Sequence, residues 1–194
     1  MRLNKKPLRL QTKLIILIVT LLIGIIVLIC GVFFYLEMKE LKTNTGKRAL
    51  QIAKTISYMS EVHEAMGSDN PSTTLQPLTL KIQQEIDAQF VVIGNSQGFR
   101  YTHPDSDKIG KPMVGGDNIR ALEEGKAYIS EATGSLGLSI RGKAPIISND
   151  GMVIGVVSVG FLLENLKSRM EEKLAEISLI ALLAINIGVV GGYL

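Results

Sequence analysis

The segment GSLGLSIRGKAP, residues 134–145, carries serines, glycines and two cations where strands usually alternate apolar and polar residues. Alternate residues of a strand share a face, so a strand here would bring together Ser135, Ser139, Arg141 and Lys143. Arginine offers a planar fork to a carboxylate, and lysine offers a compact positive charge. This purely cationic face favours an anion-binding site. The alternative is an ordinary solvent-exposed face, which antiparallel sheets commonly have.

Three other segments add groups of matching chemistry. FRYTHP contributes Arg100 and His103, and the proline after His103 ends the strand. Ser158 lies in the apolar segment VVSVG, where a buried hydroxyl needs a hydrogen-bonding partner. The loop GKPMVGGD can close over the site, with Met113 as an apolar wall and Lys111 as a further cation. Several such donors suit a small polycarboxylate better than a lone phosphate, and we expect no cofactor.

The elements that must position these residues follow from the apolar spacing, which changes from helical to strand-like along the chain. Helices are predicted over residues 37–66, 76–87 and 118–125, and from Leu163 onward. Asp117 or Asn118 is expected to cap the short third helix. Strands are predicted over residues 89–95, 99–103, 126–133, 136–147 and 152–163. Because these strands come in neighbouring pairs, the predicted fold class is α+β, with a central antiparallel five-stranded sheet and helices on one side.

Two long apolar runs flank this region. Residues 14–36 and 177–194 contain no charged residue, and each run is long enough to cross a bilayer as a helix. The first run is also too long for the apolar part of a cleaved signal peptide, which spans about 7–15 residues. We therefore expect two transmembrane helices, the second truncated at the end of this sequence, around a domain of residues 37–176.

The distribution of charge predicts the orientation of the chain. Residues 1–13 hold five of the 21 basic residues and no acid, which predicts a cytoplasmic basic tail. Residues 37–176 then lie outside the cytoplasm, with the remaining 16 basic residues and all 18 acidic ones. This slightly acidic balance argues against a nucleic-acid partner. Cys30 is the only cysteine, so the outer domain has no disulfide.

Three segments in this order, RYTHPDSDKIGKPMVGGD, GSLGLSIRGKAPI and GMVIGVVSVG, resemble the extracytoplasmic sensor domains of the CitA/DcuS family. Members are membrane histidine kinases of two-component systems that respond to citrate or C4-dicarboxylates. The resemblance implies a PAS-like (PDC) fold, a parallel homodimer and a bacterial inner-membrane location. It also implies a cytoplasmic PAS domain and kinase beyond this sequence, and a response regulator as the kinase's partner.

The resemblance also implies a ligand set. The family's carboxylate ligands fall on positions that carry the right residue types here, namely Arg100, His103, Ser135, Leu136 through its backbone, Arg141, Lys143 and Ser158. Lys143 in RGKAP resembles the citrate branch, because C4-dicarboxylate sensors tend to have an aromatic or apolar residue there. One departure is Val92, which stands where citrate sensors can carry a threonine. The expected ligand is therefore citrate or a related di- or tricarboxylate, and binding is expected to move the second transmembrane helix.

Two alternatives remain from the sequence. The same module could sense a C4-dicarboxylate such as malate, or it could belong to a chemoreceptor. A membrane-anchored enzyme is the other class, since His103, Asp105 and Asp107 in HPDSD could ligate a metal. Asp-Ser-Asp after a proline is ordinary turn chemistry, and the sequence offers no nucleophile–base pair. We therefore expect neither catalytic residues nor a metal in this part of the protein.

Overall fold

The structure is a computed structural model that describes residues 9–193, with no side-chain description after residue 188. Most of the predicted basic tail, residues 1–8, and the last residue of the predicted second span, Leu194, lie outside the described residues. Contacts divide the chain into two compact units. One unit is Glu40–Lys167, and the other combines the segments up to residue 39 and from residue 168 onward.

Within residues 9–193, the chain forms five α-helices and four strands. The helices are α1 (Leu10–Ser57), α2 (Ser60–Met66), α3 (Pro71–Glu85), α4 (Ile119–Leu122) and α5 (Leu163–Tyr193). The strands are β1 (Phe90–Asn95), β2 (Tyr128–Gly134), β3 (Gly137–Ile147) and β4 (Val153–Leu162), and a 3₁₀ turn covers Ser106–Lys108. All strand pairings are antiparallel in the order β1-β4-β3-β2. The α+β class with an antiparallel sheet is thus confirmed.

The two faces of the sheet have different chemistry, because side chains alternate along each strand. One face carries apolar residues, among them Val91, Ile93, Ala144, Val157 and Val159, which form a core with Ala49, Ala53 and Ile56 of α1. The opposite face carries Arg141 and Lys143 of β3 and Ser158 of β4. The residues that could bind an anion are therefore held by strands whose other face is packed core.

Gly142, between the two cations of β3, explains one of the glycines in the opening segment. A Cβ at this position would overlap the backbone of α1 at Ala49 and Leu50. Only glycine allows the helix backbone to approach the strand so closely. The strand that carries Arg141 and Lys143 is therefore packed directly on the first helix of the unit.

The predicted five-stranded sheet is wrong by one strand, because residues 99–103 do not form a regular ladder. They fold back along β1 and make one isolated bridge there, Gly94 with Arg100. Beyond it, the N–H groups of Tyr101 and Thr102 both bond to the carbonyl of Ile93. The N–H of Ile93 in turn donates to the Thr102 hydroxyl at 2.8 Å. A side-chain oxygen thus replaces the backbone partner that a fifth strand would supply.

The predicted helices differ from the observed ones mainly at their ends. The helix predicted over residues 37–66 is interrupted at Tyr58 and Met59, where α1 ends and α2 has not begun. Helix α3 begins earlier than predicted, at Pro71, whose fixed φ suits the first turn of a helix. The short helix α4 is present, but the side chain of Asn118 does not cap it.

The prediction of two membrane spans is confirmed for the first span only. Helix α1 contains an 18-residue window with a mean hydropathy of 3.3 and no buried residue, and it alone among the described helices meets the length and composition of a span. Helix α5 is helical as predicted, but the part of its apolar run with described side chains is residues 177–188. That stretch is shorter than the roughly 20 residues that a spanning helix needs.

We predict that Gly142→Ala destabilises the protein by about 3 kcal/mol or more, because the new methyl group would force strand β3 away from the α1 backbone. Thermal unfolding of the chain in detergent micelles measures this change. Gly67→Ala is the matched control, since Gly67 has an ordinary φ of −87° and its nearest neighbour to a new Cβ would be 3.6 Å away. Equal melting temperatures for the two variants would contradict the close packing of β3 on α1.

Candidate functional site

Strand register brings the predicted groups together on the polar face of the sheet. Arg141 of β3 lies opposite Gly160 of β4, and Lys143 lies opposite Ser158. Ser135 and Leu136 form the turn between β2 and β3, next to this face. Arg100 and His103 approach from the segment that folds back along β1. Strands β3 and β4, the turn between β2 and β3, and the segment along β1 thus place hydrogen-bond donors in one region.

One cavity is lined by all but two of the residues that the sequence singled out for anion binding. The predicted residues that line it are Arg100, His103, Met113, Ser135, Leu136, Arg141, Lys143 and Ser158. The remaining lining comes from Phe90, Val92, Val114 and Gly134. Ser139 does not line the cavity, and the exposed Lys111 side chain does not either.

The cavity is smaller than the ligand that the sequence suggests. The volume open to the centres of water molecules is about 30 Å³, enough for about two waters. A di- or tricarboxylate therefore requires part of the lining to move. Met113 and Val114 belong to a loop, whereas the lining cations and Ser158 on β3 and β4 sit on the sheet.

Arg141 is buried and held by four hydrogen bonds. Its Nε donates to Ser139 Oγ at 2.8 Å, and its Nη2 donates to the carbonyl of Ala132 at 3.0 Å. Its Nη1 donates to the carbonyl of Val114 at 3.2 Å and to Asp117 Oδ1 at 3.0 Å. The predicted ligand residue Ser139 therefore positions the arginine in this structure.

One glycine makes room for the Arg141 side chain and another makes room for the Phe90 ring beside it. A Cβ on Gly134 would overlap the guanidinium nitrogen Nη2, so this position of the opening segment is occupied by the arginine itself. A Cβ on Gly160 would overlap the Phe90 ring. That ring lies across β4 with its centroid 5.7 Å from Arg141 Cζ, within the range of a cation–π contact.

Lys143 is the most buried cation, with 1% of its surface exposed. Its ammonium donates to Asn118 Oδ1, and Asp117 Oδ1 lies 3.4 Å from it. The pKa of Lys143 is lowered to about 8, chiefly by burial and also by the positive charges of Arg141 and Arg100. Asp117 opposes this shift. An anion beside the ammonium would raise this pKa again.

Arg100 and His103 complete the polar lining. Arg100 Nη1 donates to the carbonyl of Pro112 at 2.7 Å, and the pKa of Arg100 is lowered first by burial and second by Arg141. His103 Nε2 lies 2.9 Å from Ser135 Oγ, and its Nδ1 lies 3.0 Å from the backbone nitrogen of Asp105. Burial is the main cause that lowers the pKa of His103, and this favours the neutral form of its imidazole. A neutral ring can both donate and accept a hydrogen bond.

The charges in the site are not balanced. Arg100, Arg141 and Lys143 are each at most 5% exposed. Among the described residues, the ion pairs of these three cations involve a single carboxylate, Asp117, whose side chain is 11% exposed. Burying a charge is costly unless it is paired. The arrangement is therefore suited to an anion with more than one carboxylate.

Sequence reasoning missed the role of Asp117 and Asn118, which it assigned to helix capping. Both side chains contact the cations of β3, and Asp117 Oδ2 also accepts from Ser130 Oγ at 2.6 Å. Strand register offered a signal that could have identified Ser130, because it pairs directly with Arg141. No comparable signal existed for Asp117, since its contact depends on the path of a loop.

Within the described residues, His103, Asp105 and Asp107 do not form a group that could bind a metal ion. Among residues 9–193, no group of three His, Cys, Asp or Glu side chains could hold a metal ion. His103 uses Nδ1 for the Asp105 backbone, and Asp105 Oδ1 accepts from the backbone N–H of Asp107. These contacts are those of a turn, which was the more ordinary interpretation of the segment.

Comparison with known proteins identifies the family. The protein-family model described as single cache domain 3 matches residues 37–175 of this chain. The chain belongs to this family. The single cache domain covers the whole compact unit Glu40–Lys167, and therefore every residue of the cavity.

Two curated relatives align with nearly the whole chain. Sensor protein CitS of Halalkalibacterium halodurans is 40% identical over 189 residues, which cover 97% of this chain and 35% of the relative. A probable C4-dicarboxylate sensor kinase of Bacillus subtilis is 35% identical over 98% of this chain and 36% of the relative. The chain spans about a third of the length of these relatives.

A solved structure confirms the fold. The crystal structure of the Escherichia coli DcuS sensor domain is similar with a TM-score of 0.63 and 25% identity, covering 68% of this chain and 98% of that one. The PAS-like (PDC) architecture is therefore confirmed, with four strands in place of five. The resemblance to the CitA/DcuS family inferred from three sequence segments is confirmed as well.

We predict that Lys143 makes the protein more stable as the pH rises from 7.5 to 9.5. Its pKa is about 8 in the folded chain and about 10.4 when unfolded, so the unfolded state binds more protons in this window. Stability rises with pH wherever that holds. The contribution is about 2 kcal/mol across the window.

Urea unfolding of the chain in detergent micelles at both pH values tests this, with Lys143→Met as the reference that lacks the group. Subtracting the variant from the wild type removes the titration of all other residues. An identical pH dependence in both proteins would mean that Lys143 keeps an ordinary pKa.

Proposed function

We propose that this chain is the membrane-anchored sensor module for an extracytoplasmic polycarboxylate, with citrate as the preferred ligand. The observation that carries the proposal is the cluster of three buried cations around one cavity, with a single carboxylate among their ion-pair partners in the described residues. Arg100, Arg141 and Lys143 supply the charge, while His103, Ser135 and Ser158 supply neutral hydrogen-bonding groups. The backbone of Leu136 and the side chain of Met113 complete the ligand set.

Lys143 supports citrate over a smaller dicarboxylate. Lys143 follows Arg141 by two residues in β3, so the two side chains lie on the same face of the strand. The third carboxylate of citrate requires a further cation such as Lys143, because each additional buried anion needs a partner. The resemblance to the citrate branch of the family, through RGKAP, agrees with this argument.

A C4-dicarboxylate such as malate is the second candidate, and two observations favour it. Val92 lines the cavity where citrate sensors can have a hydroxyl. A relative that aligns with nearly the whole chain, from Bacillus subtilis, is described as a probable C4-dicarboxylate sensor kinase. Both candidates use the same cations and differ in the importance of Lys143.

The rest of the proposal concerns the protein beyond the site. The basic residues 1–13 would lie in the cytoplasm, residues 14–36 and 177–194 would cross the bacterial inner membrane, and residues 37–176 would lie outside. The relatives are about three times longer, and we infer that the module controls a histidine kinase in the same polypeptide, acting on a response regulator. The module would work as a homodimer.

We predict that the chain in detergent micelles binds citrate and that Arg141→Ala weakens binding about 100-fold, or about 2.7 kcal/mol. The loss reflects charge-assisted hydrogen bonds to a carboxylate. Lys143→Ala should weaken citrate binding about tenfold more than malate binding, because malate lacks the third carboxylate. Isothermal titration calorimetry with citrate, malate and isocitrate measures these affinities.

Lys126→Ala is the matched control, since its ammonium is exposed and pairs with Glu124 on the surface. Equal losses for citrate and malate in Lys143→Ala would favour the C4-dicarboxylate sensor. Absence of binding for every carboxylate, with a folded protein, would contradict the proposed function.

We predict that ligand binding shifts α5 along its axis, because β4 ends at Leu162 and α5 begins at the next residue. Such a shift requires that the ligand bind one conformation more tightly than the other. Single cysteines at Leu179 and Leu183, in a chain whose Cys30 is replaced by Ala, report the shift through disulfide cross-linking between copies. Cross-linking rates that do not change with citrate would contradict it.

A further inference from the structure

The loop between Gly110 and Asn118 holds both cations of β3 by contacts that a ligand would need. The carbonyl of Val114 and the carboxylate of Asp117 accept from Arg141 Nη1. Asp117 and Asn118 also contact the Lys143 ammonium. This inference rests on the proposed function, because it concerns the affinity of the same site.

The hydrogen-bond donors of Arg141 are nearly all engaged. A guanidinium has five N–H groups, and four of them donate to protein acceptors in the described chain. A carboxylate held in the bidentate manner needs two N–H groups on neighbouring nitrogens. One remaining N–H on Nη2 cannot provide this, so at least one internal acceptor must leave before a ligand is held in that way.

The acceptors differ in how readily they can leave. Ser139 and the Ala132 carbonyl belong to the paired strands β3 and β2. Val114 and Asp117 belong to the loop, and between them lie Gly115 and Gly116 with φ values of +126° and +66°. These positive φ values favour glycine. Release of the loop frees both hydrogens of Nη1 together and also widens the small cavity, because Met113 and Val114 line it.

We propose that Asp117 is an internal competitor of the ligand, a carboxylate of the protein that occupies Arg141 and Lys143 until a carboxylate of the ligand replaces it. The exchange substitutes one carboxylate for another, so the buried cations stay paired throughout. Asp117 thereby sets the concentration at which the sensor responds. Ser130 strengthens the competitor, because its hydroxyl holds Asp117 Oδ2 at 2.6 Å.

The test measures citrate affinity in two variants of the full 194-residue chain in detergent micelles. Asp117→Asn removes the competing charge, and we expect citrate to bind about tenfold more tightly, or about 1.4 kcal/mol. Ser130→Ala keeps the charge and only loosens Asp117, and we expect citrate to bind about threefold more tightly, or about 0.65 kcal/mol. Titrations at pH 6.5 keep Lys143 protonated, since its pKa is about 8 with Asp117 present and falls without it.

Asp107→Asn is the matched control, with the same change of charge on an exposed residue of the neighbouring turn. Ser130→Ala keeps the experiment informative if Asp117→Asn fails to fold, because it leaves both cations paired. The inference would be overturned if citrate binding were weaker or unchanged in Ser130→Ala, and also in Asp117→Asn if that variant folds. Asp117 would then be a residue that only orients Arg141. A wild-type chain that binds no carboxylate would instead overturn the proposed function, so the two failures are distinguishable.

Discussion

The burial of Arg141 and Lys143 two residues apart on one strand is the constraint on which the site depends. Two cations at this spacing repel each other, and both lose their hydration when they are buried. The fold compensates with Asp117, with backbone carbonyls around the guanidinium, and with the Phe90 ring. Replacing such an arrangement by apolar residues is often neutral or stabilising, so stability does not explain its presence, and this supports the proposal that the cations bind an anion.

The opposite face of the same strand explains how these cations are held in place. Gly142 permits contact between β3 and the backbone of α1, and Ala144 packs into the core on the same side. A displacement of Arg141 or Lys143 must therefore be transmitted to, or resisted by, the first helix. In the proposed sensor, this packing would leave the loop of Gly110 to Asn118 as the side of the site that adjusts to a ligand.

Part of the site could be predicted from the sequence, because strand periodicity alone predicts Arg141 and Lys143 on one face of a strand. Ser158 was predicted as a hydroxyl in an apolar segment and from the family resemblance, and the register of β3 and β4 places it opposite Lys143. His103 and Arg100 were predicted from their residue types and from the family resemblance, although residues 99–103 are not a strand. The fifth strand was wrongly predicted because the Thr102 hydroxyl takes the place of a backbone partner, which periodicity cannot reveal. Asp117 was assigned to a helix cap for a similar reason, since the path of a glycine-containing loop determines its partners.

The most direct test of the central claim, that a ligand carboxylate pairs with the buried cations, is the number of protons taken up on binding at pH 8.0. Calorimetric titrations with citrate, whose three carboxyl groups are ionised at this pH, in two buffers of different ionisation enthalpy give this number. The pKa of Lys143 is about 8 before binding, with Asp117 beside it. Citrate brings three carboxylates where Asp117 supplied one, so the pKa rises on binding, and we expect uptake of about half a proton that Lys143→Met abolishes. Binding without proton uptake in the wild type would contradict the account, because it would place the ligand away from Lys143.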